Sequence, residues 1–211
     1  MADVTLIVNR NAAVTTLYLS APAPVMSEAF AGPALEPPEG ATFAEAQRLA
    51  RDAAQHMADH ITLNTAENIS VARTTSALLH ISDDPLRFST PFEASISTAL
   101  CTTPDRQLPS LGDLRFYGAF VADIPFEAGP LAVSFNGPFP ENMAVDLLYF
   151  ERGALVSRRS HDLIAGDPIQ ISPTQSGPGR TALWIALISG FVLVAALSRR
   201  LAMTQVKCSE I

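Results

Sequence analysis

The sequence predicts a mainly β fold, an antiparallel sandwich-like domain with one covering helix, followed by a single C-terminal transmembrane helix. Three observations carry this expectation: short segments of alternating apolar and polar residues, one stretch of helical periodicity that opens on a capping-box pattern, and one charge-free apolar run near the end of the chain. With 48% hydrophobic and 17% charged residues over 211 positions, the composition excludes a disordered tail, a collagen-like fibre and a disulfide-stapled miniprotein.

The strand candidates are Val4 to Val8, Val14 to Leu19, Ile69 to Ile81, Leu86 to Leu100, Leu114 to Ala122, Leu131 to Phe135 and Ala144 to Phe150, with weaker ones at Leu155 and Ile169. Asn9-Arg10-Asn11 joins the first two as a hairpin turn, because asparagine tolerates positive φ. Residues 20–41 contain Pro22, Pro24, Pro33, Pro37 and Pro38, which lack a ladder donor and fix φ; an irregular surface connection is expected there. Asp83-Asp84 before Pro85 makes a turn. Phe88, Phe92, Phe116, Tyr117, Phe120, Phe135 and Phe150 are the aromatic core candidates.

The helix starts at Thr42, with Glu45 three residues on to complete the box. Apolar residues then recur at Phe43, Ala46, Ala50, Ala53, Met57 and Ile61, one arc that should lie on a sheet face. Beside that arc Asp52, His56 and His60 follow at steps of four. Two imidazoles one turn apart can grip a metal ion, with the carboxylate as third ligand or outer partner. His80 and His161 complete such a site only if the fold brings them close.

The extramembrane domain is assigned to residues 1–165, and 166–180, rich in Gly, Pro and Ser, reads as a flexible stalk. The transmembrane helix is 181–203 and the tail 204–211. Its centre, Ala182 to Ser198, holds no charge over seventeen residues, and at 1.5 Å per residue spans about 26 Å. Trp184 sits where an indole prefers the interface, and Arg199 and Arg200 can snorkel at the other end. Ala182, Ala186 and Gly190 form a ridge of small residues for packing against another helix.

Charge divides the chain in the same place. Residues 1–179 hold 20 acidic and 10 basic side chains, net −10, while 180–211 hold four basic and one acidic, net +3. An acidic body repels a phosphate backbone, so nucleic-acid binding is excluded. Arg180 precedes the span and Arg199, Arg200 and Lys207 follow it, which puts the tail in the cytoplasm and the domain on the exoplasmic side. The first residues show no basic, extended apolar export signal; the alternative is a tail-anchored protein with a cytoplasmic domain. In both topologies Cys101 and Cys208 lie on opposite sides of the membrane and cannot pair; near the bilayer Cys208 is also a candidate for lipidation.

The catalytic motifs are missing. Neither G-x-S-x-G nor a glycine-rich phosphate loop occurs, and no cofactor is implied. Asn68-Ile69-Ser70 matches a glycosylation acceptor, and Arg158-Arg159 is a small basic pair that an exposed turn or lipid headgroups would accommodate. The expected function is that of a single-pass interaction or accessory subunit. Its partners are the lipid bilayer and a membrane protein, or a second copy through the transmembrane helix. The alternative is a membrane-tethered metal-binding or enzymatic domain using His56 and His60.

Overall fold

The computed structural model describes residues 4–29, 40–100, 110–137, 143–164 and 166–172. In chain order the elements are β1 (Val4–Arg10), β2 (Thr15–Pro22), α1 (Ala23–Ala29), α2 (Phe43–Ala58), β3 (Ile61–Asn64), β4 (Ile69–Val71), β5 (Arg73–Ile81), α3 (Pro91–Ala99), β6 (Leu114–Ala122), β7 (Leu131–Phe135), β8 (Met143–Glu151), β9 (Ala154–Leu163) and β10 (Ile169–Ile171). The domain is mainly β, with two sheets and few helices. One sheet has six strands in the order β5-β6-β2-β1-β8-β9, the other four in the order β10-β7-β3-β4.

The antiparallel expectation needs one correction. β1 and β8 run parallel, Val4 opposite Val145 through Arg10 opposite Glu151, so the six-stranded sheet is mixed. β7, which precedes β8 in sequence, belongs to the other sheet, so β8 is not the second arm of a hairpin with β1 and need not run antiparallel to it. The other pairings are antiparallel.

Both faces of the six-stranded sheet are covered. Leu6 and Val8 of β1, Leu17 and Leu19 of β2, Phe116 and Phe120 of β6 and Leu147 of β8 join the inner residues of the four-stranded sheet and the buried stripe of α2 in one core. Ile7, Leu148 and Phe150 point to the opposite face, where Ala94 of α3 closes a second, smaller core with Tyr18 and Phe88 beside it. Strands buried on two sides read as near-continuous apolar runs, as in Leu-Leu-Tyr-Phe of β8. α2 and α3 therefore flank the sheet on opposite faces.

Local chemistry sets the element ends. Asn11 Oδ1 accepts from the backbone N–H groups of Ala13 and Val14 at 3.0 and 2.9 Å, closing the first hairpin. The cap of α2 is as expected: Glu45 Oε2 accepts from the Thr42 N–H at 2.7 Å and Thr42 Oγ1 accepts from the Glu45 N–H at 3.4 Å. β8 and β9 are joined by Arg152-Gly153, both at positive φ (50° and 81°), the two-residue turn whose twist matches the strands.

Several expectations are corrected. α2 stops at Ala58, so Ile61 begins β3 and His60 lies in the connecting turn, where its N–H donates to the Met57 carbonyl at 2.9 Å. Ala54 and Ala58, rather than Ala53 and Ile61, complete its buried stripe. Leu86 to Leu100 is not a strand: Pro91 at the first turn and Thr90 Oγ1 accepting from the Glu93 N–H at 3.2 Å start α3. That turns Phe92 outward, 73% exposed, while Phe88 is half-buried and the other five aromatic candidates are buried. Ile69 to Ile81 divides at Ala72 into β4 and β5, one in each sheet. β2 runs on through Pro22 and leads into α1 rather than an irregular connection. β10 pairs with β7 and buries Ile169 and Ile171, so paired chain continues past residue 165 into the expected stalk.

Among the described residues no helix is long and apolar enough to cross a membrane. The expected span 181–203, with Ala182, Ala186 and Gly190, lies outside the described residues, as do Cys101, Cys208 and the tail.

Candidate functional site

The residues singled out in the sequence are only partly brought together. The His56 and His60 rings meet edge to face, with centroids 4.9 Å apart and planes at 74°. Each is half-buried, and Asp52 is exposed on α2. Among the described residues no group of three or more His, Cys, Asp and Glu side chains is gathered to hold a metal. Asn68 is exposed in the β3–β4 connection, where its N–H donates to Thr65 Oγ1 at 3.1 Å. Arg158 and Arg159 stand on the edge strand β9, not in a turn. Arg158 pairs with Asp146 at 3.4 Å and Arg159 donates to the Gln170 carbonyl.

A different place has the form of a binding site. An open groove of about 690 Å³ lies along β5, the end strand of its sheet, within the size range of ligand sites. One lip is α2, which contributes Gln47, Arg48 and Arg51; the floor is Ser76 and Ala77 of β5; the other lip is the end of α3, with Thr98 and Leu100. β5 is the outermost strand of its sheet, with a bulge between Thr74 and Ser76. A bulge at a sheet edge re-aims side chains and interrupts the ladder. Gln47 Nε2 donates to the Ala77 carbonyl at 2.9 Å, so α2 is tied to the β5 backbone at this point. The same amide holds its Oε1 buried and without a hydrogen-bond donor among the described residues.

The electrostatics of the groove are set by α2. Arg48 and Arg51 are exposed, lie three residues apart on one side of the helix, and form no ion pair or hydrogen bond among the described residues. Glu45, their nearest acidic neighbour toward the N-terminus, is committed to the cap. Hydrogen bonds from the Thr42 backbone and then its hydroxyl hold the Glu45 carboxyl below its ordinary value, and Arg48 adds to this. Among the described lining residues there is no carboxylate, imidazole or thiol.

From Leu100 an apolar row runs back along α3 through Ile96 and Phe92, which are 39%, 47% and 73% exposed. Sequence reasoning overlooked this lip because Leu86 to Leu100 alternated well enough to pass for a strand. The signal was available in Thr90-Pro91-Phe92-Glu93, a cap, a proline at the first turn and an acidic third position.

Away from the groove, Arg10 is fully buried and donates to the carbonyls of Gly129, Pro125 and Phe126 at 2.6, 3.0 and 3.2 Å. Tyr149 donates to Glu151 Oε1 at 2.7 Å, and burial, then that carboxylate, push its hydroxyl well above the usual tyrosine range. This cluster ties loop 125–129 to the ends of β1 and β8. No protein-family profile and no curated protein sequence matches the chain.

Proposed function

We propose that the chain is a single-pass, membrane-anchored interaction or accessory subunit whose two-sheet domain docks onto a partner in a membrane protein complex. The observation that carries the docking is the β5-edge groove. Its described lining presents amide, hydroxyl and guanidinium groups that can grip a partner, and no acid–base pair to move a proton. The anchor rests on the charge-free run from Ala182 to Ser198. The small-residue ridge Ala182, Ala186, Gly190 suits contact with a partner helix or a second copy. The basic residues after the span favour an exoplasmic domain over the tail-anchored arrangement.

Deleting residues 181–211 should move the protein from the membrane fraction to the supernatant. A truncated chain that stays with the membrane overturns the single anchor, and protease protection on sealed vesicles assigns the side. A second reading, a metal-handling domain, is favoured by the His56–His60 contact. Zinc titration of the full chain against the His56→Ala/His60→Ala variant separates the two: stoichiometric metal lost in the variant would replace the interaction reading.

A further inference from the structure

We infer that the β5-edge groove takes an extended peptide segment of the partner that alternates acidic and apolar residues, added as a strand alongside β5. The inference rests on the interaction reading above and names the chemistry of the partner.

Two observations converge on that occupant. β5 is the outermost strand of its sheet, with β6 its one ladder partner among the described residues, and a strand edge of this kind is a template for a further strand. In addition, α2 and α3 cover opposite faces of the sheet and form the two lips of the groove.

The last point fixes the pattern. Side chains of an added strand alternate between the two faces of the sheet. Those turned to the α2 side meet Arg48 and Arg51, whose guanidinium groups have no ion pair among the described residues and can pair with the peptide's carboxylates. Those turned to the α3 side meet Leu100 and the exposed row leading to Ile96 and Phe92. An acidic residue at every second position therefore satisfies one lip while an apolar residue satisfies the other. In a domain of net negative charge, two cations on one side of α2 that are unpaired among the described residues are an attractive feature for such a segment.

The test uses the full chain in detergent micelles and fluorescein-labelled eight-residue peptides, read by anisotropy. One peptide alternates glutamate and valine; a second has the same composition with the glutamates and valines in two blocks; a third alternates glutamine and valine. Saturable binding of the first is expected, with at least about tenfold weaker binding of the other two and at least about tenfold loss in the Arg48→Glu/Arg51→Glu variant. If that variant loses its far-UV circular dichroism, Arg48→Gln/Arg51→Gln takes its place with the same expected direction. No saturable binding of the alternating acidic peptide overturns the inference. So does equal binding of the blocked peptide, or indifference to the arginine substitutions. Inorganic phosphate that displaces the peptide at equal concentration would show a free-anion site instead. Membrane fractionation of the truncated chain reads the anchored-subunit proposal separately, so failure of the one is distinguishable from failure of the other.

Discussion

Arg10 Nη1 lies 2.6 Å from the carbonyl oxygen of Gly129, a contact that spans 119 positions of sequence and is made by a fully buried side chain. Its Nη2 serves the Pro125 and Phe126 carbonyls, and its guanidinium lies 5.7 Å from the centre of the Phe126 ring. Arg10→Met keeps much of the volume but strips three carbonyls of their donor and leaves the Tyr149–Glu151 pair without its nearby cation. The expected cost is about 3–5 kcal/mol, because removing one member of a buried charged network leaves its partners unpaired. Urea unfolding of the full chain in detergent measures it; an unchanged midpoint would mean that loop 125–129 is held by other contacts.

Gly118 in β6 has no room for a side chain. A Cβ built there would meet Phe116 ring atoms at 2.7 and 2.9 Å and Phe120 at 3.1 Å, and both rings are fully buried. Gly118→Ala should destabilise by about 1–3 kcal/mol, the usual cost of overpacking. Adding Phe116→Leu should recover part of that loss, because the second change makes the space that the first lacks. Strict additivity in the double-mutant cycle would argue against a direct clash.

The α2 cap gives stability a dependence on acid. Glu45 is held below its ordinary value of 4.5, chiefly by hydrogen bonds from Thr42. A carboxyl with a depressed folded-state value contributes stability that is fully present above 4.5 and is lost as pH falls through the lower folded value. Glu93 is shifted in the same direction by the Ser89 side chain and then its backbone, so the α3 N-terminus should soften over the same acid range. Glu45→Gln should lower the unfolding midpoint at pH 7 and converge with the parent chain under acid. A constant difference at all pH values would exclude the ionised cap as its cause. Thr42→Ala should cost about 1 kcal/mol.

Much of this architecture was legible one segment at a time. β6 and β7 fall on the expected residues, Leu114 to Ala122 and Leu131 to Phe135, because each combines β-branched or aromatic residues with clear flanking turns. The capping box located the start of α2, while its end did not show, since Asp59-His60-Ile61 continues the apolar spacing by chance. α3 was hidden for the converse reason: alternation over a short run does not separate strand from helix, and a proline cap outweighed it. The groove itself was invisible. Gln47, Ser76 and Leu100 are polar or apolar residues of no special type, and what makes them a site is the arrival of α2 and α3 on opposite faces of the β5 edge.

By itself the sequence determined the mainly β character, the position of the capped helix, the split between an acidic body and a basic end, and the charge-free run at 182–198. These follow from short-range periodicity and composition, which act within a few residues. Tertiary structure alone decided that β1 and β8 run parallel, that Arg10 is a buried hub and that Phe92 faces outward. It also decided that the outer strand β5 is flanked by helices on its two faces. Each of those depends on which distant segments share a face, and pairing over more than a hundred positions leaves no periodic mark on the chain.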